Sequence, residues 1–180
     1  MKKFIKSRIG IVIIVIALIT TGVGLQQLFA NSGNSPSSVP SVSETVYSDG
    51  GFMVGGGNIS NQGEKFTYSF EIHSNDGRDN NSKLQISWGK HKFRMDNLIS
   101  SVTTNDPGIK SDPPSAGFNT ISGSGSGQMD KNSGCTVEFK FVDAGEPGTS
   151  DWSSITIKDN SNIPVLEASG YVQAGNNQAH

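Results

Sequence analysis

The chain has 180 residues, of which 33% are hydrophobic and 22 are glycine, with 16 acidic against 14 basic residues and one cysteine. A chain of this length holds one domain plus a tail or anchor, and a composition this rich in glycine and polar turn-formers suits a β-protein of short strands. The single cysteine excludes an intrachain disulfide framework, and the acidic balance excludes the basic footprint that nucleic-acid binding needs.

Lys2, Lys3, Lys6 and Arg8 precede 17 uncharged residues, 9–25. A basic segment followed by an apolar run is the layout of an export signal. Seventeen residues is short for a membrane-spanning helix and long for a cleaved signal, so residues 1–30 read as either an export signal or an N-terminal membrane anchor. In both cases one apolar helix keeps its basic end cytoplasmic and places the rest of the chain outside. A pilin-type leader cut near Gly10 is a narrower alternative, and it lacks the acidic residue that bacterial pilins carry after the cut. The leader takes four basic residues and no acidic ones, which leaves 10 against 16, net −6, beyond it. Residues 31–49, rich in Ser, Pro and Asn, read as a flexible linker to an extracellular domain over 50–180.

Residues 51–60 predict a first edge strand interrupted by Gly55, Gly56 and Gly57. Without a helix N-terminus or a lysine behind them, these glycines mark a bend rather than a phosphate cradle. Over 64–74 the alternation is clearest, with Phe66, Tyr68, Phe70 and Ile72 on one face and His73 on the other. The stretch 75–82 is an Asp/Asn-rich turn without the calcium spacing of an EF-hand. Leu84, Ile86 and Trp88 define the next strand, followed by shorter apolar segments at 92–95 and 96–102. Three prolines place a long loop at 103–115. A strand at 116–122 then runs into Gly-Ser-Gly-Ser-Gly at 123–127, which reads as a flexible connection.

Cys135, Val137, Phe139 and Phe141 share one face of the following strand, so Cys135 reads as a small buried hydrophobe. Ile155 and Ile157 alternate with Trp152, Ser154 and Thr156 in the next, and a last run covers 165–172. Between them lies the turn 143–151, D-A-G-E-P-G-T-S-D. Its carboxylates Asp143, Glu146 and Asp151 suit a calcium ion, the one cofactor the sequence suggests. They suit equally a turn locked by hydrogen bonds from its own amides. His73, His91 and His180 have no metal-ligand spacing, and Asn58 and Asn80 head N-x-S sequons.

The succession A-G-F-N-T-I-S-G-S-G-S-G, then T-V-E-F-K-F-V-D-A-G-E-P-G-T-S-D, then S-G-Y-V-Q-A-G-N-N-Q-A-H resembles the post-choice-of-anchor domain of bacterial and archaeal exported proteins. The match covers about residues 50–180 and falls on Gly55 to Gly57, Ala116, 143–151 and 170–180. Its specific parts are D-x-G-E-P-G-x-x-D and the terminal G-N-x-Q-x-H. Departures are the insert at 159–164 and Ala179 where an aliphatic residue is usual. The resemblance implies a small all-β accessory domain at the cell surface with no established catalytic activity.

The expected fold is therefore all-β, an antiparallel sandwich or flattened barrel of short strands, preceded by one N-terminal apolar helix. The expected function is that of a non-catalytic cell-surface or secreted module in adhesion, matrix or structural roles, extracytoplasmic and either membrane-anchored or secreted. Its partners would be the membrane, if the leader is uncleaved, and a surface protein or glycan. The alternative is a calcium- or carbohydrate-binding module using the 143–151 turn.

Overall fold

The computed structural model describes residues 45–47 (backbone only), 50–61, 63–74, 81–109 and 116–180. The apolar leader, most of the 31–49 stretch, the turn at 75–80 and Asn80 with its sequon lie outside the described residues. No helix among the described residues is long and apolar enough to cross a membrane. The strands are β1 (Thr45–Tyr47), β2 (Phe52–Asn61), β3 (Glu64–His73), β4 (Lys83–Trp88), β5 (His91–Asn105), β6 (Thr120–Met129), β7 (Asn132–Val142), β8 (Trp152–Lys158), β9 (Pro164–Tyr171) and β10 (Ala174–Ala179).

All pairings are antiparallel and belong to one sheet, in the order β10-β2-β3-β4-β5-β6-β7-β8-β9, with β1 beside the far part of β5. It is a curled half-barrel and not a two-sheet sandwich. Its ends approach each other, since Gln173 N donates to Asn58 O at 2.9 Å and the Asn61 side chain donates to Glu167 O at 3.0 Å. The alternating residues point into the curl. Phe66, Tyr68, Phe70, Ile72, Leu84, Ile86, Trp88, Val137, Phe139, Phe141, Ile155 and Ile157 are all buried in one core, together with Cys135. Each large side chain so buried contributes about 1.5–3 kcal/mol.

The structure corrects several boundaries. β1 falls inside the stretch read as a linker, so the sheet starts before residue 50. β2 is continuous through its glycines and is not an edge, because β10 and β3 pair on its two sides. The segments 92–95 and 96–102 are one strand, β5, whose two register shifts against β6 absorb the irregular pattern.

Gly123, Gly125 and Gly127 are not a flexible connection but the interior of β6. A Cβ at Gly127 would run into the backbone of Arg94 and Met95, and one at Gly125 into the Met95 side chain. At these positions the neighbouring strand comes too close for any side chain, which is what glycine inside a strand signals. Steric exclusion, not flexibility, selects the residue.

Gly127→Ala is expected to lower stability by about 1–3 kcal/mol through overpacking. At Gly170 in β9 a Cβ meets nothing nearer than Ser60 O at 3.8 Å, so Gly170→Ala should leave the urea midpoint unchanged or raised. Equal losses in the two variants would show that close approach is not what β6 requires.

Candidate functional site

The 143–151 turn joins β7 to β8 and packs against β10, the strand at one end of the sheet. Gly145 has φ +89 and donates its N–H to Asp143 Oδ1 at 2.9 Å. A 3₁₀ turn at Gly148–Ser150 follows the Glu146-Pro147 bond, which is cis. A Cβ at Gly148 would collide with Asn176, so this glycine lets the turn lie directly on β10.

β10 pairs with β2 through alternate residues, as the mutual bonds of Phe52 and His180 show (Phe52 N to His180 O, 3.2 Å; His180 N to Phe52 O, 2.9 Å). By the period of a strand, the amides of Asn177 and Ala179 therefore face away from β2. Asp151 Oδ2 accepts from Asn177 N at 2.7 Å, and Asp143 Oδ2 accepts from Ala179 N at 2.9 Å. The second oxygen of Asp151 accepts from Ala144 N at 2.8 Å. Glu146 Oε1 accepts from the Asn176 side chain at 2.7 Å, out in solvent. Two carboxylates thus stand in for the missing neighbour strand of β10.

Beneath them Asn177, 0% exposed, anchors a closed ring of hydrogen bonds. Its Nδ2 donates to Ser153 Oγ (3.2 Å), Ser153 Oγ donates to the Tyr68 hydroxyl (2.8 Å), and that hydroxyl donates to Asn177 Oδ1 (3.1 Å). Nδ2 also donates to Val142 O at 3.1 Å and reaches Trp152 O at 3.5 Å. Burial pushes the Tyr68 phenol above its ordinary value, although the bond donated by Ser153 opposes it. Burial likewise raises Asp151 to about 6, against the two amide bonds and with help from the charges of Asp143 and Glu146.

The three carboxylates proposed from sequence therefore lie on one turn. Those of Asp143 and Asp151 bind backbone amides, and Glu146 binds a side-chain amide. Among the described residues no three His, Cys, Asp or Glu side chains form a group that could hold a metal ion. His73 and His180 stack on the two sides of Phe52, with ring centroids 5.1 Å and 5.0 Å away, and His91 Nδ1 lies 2.6 Å from Asp130. Asn58 lies within β2 and donates from its side chain to Ala174 O at 3.4 Å.

Sequence reasoning missed β10, whose residues A-G-N-N-Q-A carry no apolar alternation, and with it Asn177, Ser153 and the role of the Tyr68 hydroxyl. The signal available was the terminal G-N-x-Q-x-H piece. No family model, curated protein or solved structure matches the chain.

Asn177→Ala removes the acceptor of Tyr68 and a donor to buried oxygens, and it should cost about 2–4 kcal/mol by urea denaturation. Asp151 binds its proton more tightly folded than unfolded, so the stability it confers is full below about pH 4 and is lost as pH rises through 6. The stability gap between wild type and Asp151→Asn should therefore be larger at pH 4 than at pH 7. A gap that is constant with pH would show that Asp151 does not titrate in this window.

Proposed function

We propose that this chain is an exported, non-catalytic β-domain that serves at the cell surface in adhesion, matrix or structural roles. The observation that carries this reading is the engagement of the clustered carboxylates. The acidic turn, where hydrolytic or metal chemistry would first be sought, uses Asp143 and Asp151 to hold the terminal strand through its backbone amides. The same turn and strand are the two specific pieces of the resemblance to the post-choice-of-anchor domain, and they are the two halves of one contact. This supports membership of that family and the accessory role it implies. The basic and apolar leader supports export, with the leader as cleaved signal or anchor.

A calcium ion on Asp143, Glu146 and Asp151 would have to displace the amides that these carboxylates now bind. The melting temperature of the full chain should therefore be the same in millimolar calcium and in chelator. A calcium-dependent rise of several degrees, lost in Asp143→Asn and Asp151→Asn, would establish the metal site instead. Incubation with a panel of glycans, peptides and esters should give no turnover, and turnover above background would overturn the non-catalytic reading.

A further inference from the structure

The outer face of β7, β8 and β9 carries a groove that the clasp of β10 does not use. Trp152 lies opposite Val142 in the β7–β8 pairing and opposite Tyr171 in the β8–β9 pairing, so three apolar residues form one row across adjacent strands. They line a hollow of about 350 Å³ together with Ile109, Lys140 and Ser150. That volume is at the lower end of the roughly 300–1,000 Å³ of small-ligand sites. Tyr171 is 68% exposed, far more than aromatic packing within the fold requires.

Among the described residues the Trp152 indole, the Tyr171 hydroxyl, Ser150 Oγ and Lys140 Nζ make no hydrogen bond or ion pair. Lys158, by contrast, is paired with Glu138 at 2.7 Å on the same outer face. Among the described residues Lys140 is the one cation lining the groove. An apolar floor lined by residues that carry hydroxyl and N–H groups fits a ligand with one C–H face and a rim of hydroxyls, and the Lys140 ammonium selects an anionic group on it.

We propose that the Trp152–Tyr171 groove is a saccharide-binding site that prefers acidic sugars. A sugar ring stacks on Trp152 and Tyr171, its hydroxyls bond to Ser150 and the Tyr171 hydroxyl, and a uronate carboxylate pairs with Lys140. The site deepens the reading of the chain as a surface module and rests on it, since it gives that module something to hold.

The test is calorimetric titration of the full chain with a galacturonic acid tetrasaccharide and with cellotetraose, a neutral glucose tetrasaccharide. Binding of the acidic probe is expected to exceed that of the neutral one. Tyr171→Ala, at an exposed position, should weaken both by about tenfold, with Trp152→Phe less affected. Lys140→Ala should abolish the preference and leave neutral binding in place. Melting temperatures equal to wild type keep these losses from being misread as unfolding. No heat with either probe at millimolar concentration, or binding unaffected by Tyr171→Ala, overturns the site while leaving the surface-module reading intact. Hydrolysis of a bound probe overturns the non-catalytic reading and leaves the site standing.

Discussion

The fold depends on two backbone amides, those of Asn177 and Ala179, which point away from the sheet at its β10 end and are received by Asp151 and Asp143. An uncovered strand edge offers unpaired donors and acceptors to any passing strand. Here carboxylates from a distant turn occupy those donors, and Asn176 adds a solvent-side bond to Glu146. The arrangement places two acidic groups close together, with Asp151 0% exposed. Burial and like charge oppose ionisation of Asp151, and its two amide bonds oppose that loss without cancelling it, which is why its proton is held to about pH 6.

The curl that brings the turn to β10 has a separate cause. At several inward positions a large ring on one strand stands opposite a glycine on the next, Phe70 opposite Gly55, Tyr68 opposite Gly57 and Phe139 opposite Gly123. Phe70 and Phe141 stack with centroids 3.8 Å apart, and Phe139 and Tyr68 lie 5.5 Å from Phe141. A Cβ at Gly55 would meet the Phe70 ring at 2.8 Å, and one at Gly123 the Phe139 ring at 2.8 Å. The rings thus lie over bare backbone, which lets the wall bend around them. Glycines in β2 and β6 and aromatics in β3 and β7 are one packing device seen from two strands.

These causes explain what the sequence made legible. Period-two alternation identifies β3, β4, β7 and β8 because each has one wet and one dry face, and all twelve core residues named from that pattern are buried. It fails for β6, where Gly125 and Gly127 occupy inward positions that would otherwise hold apolar side chains. It fails again for β10, whose inward side carries Asn177 and Ala179, a buried amide and a methyl group. Burial of a polar residue depends on partners far along the chain, here Tyr68 and Ser153, and local pattern contains no such information. The acidic turn was legible as a cluster, and its lock reading agrees with the amide bonds it makes.

The clasp and the outer groove are mechanically one object. Val142 and Trp152, which form the groove floor, flank the 143–151 turn on either side. Their carbonyls face the Asn177 side chain, at 3.1 Å and 3.5 Å, from inside the sheet. Val172 N, just after Tyr171, donates to Asp151 O at 2.9 Å. Each strand that carries a floor residue is therefore tied to the same buried centre within one residue of the groove. A surface that binds by stacking needs its rings held at fixed spacing, because a loose platform loses affinity to ordering entropy. The buried polar ring supplies that rigidity with no contact to the outside, while Trp152 and Tyr171 lie side by side on the outer face.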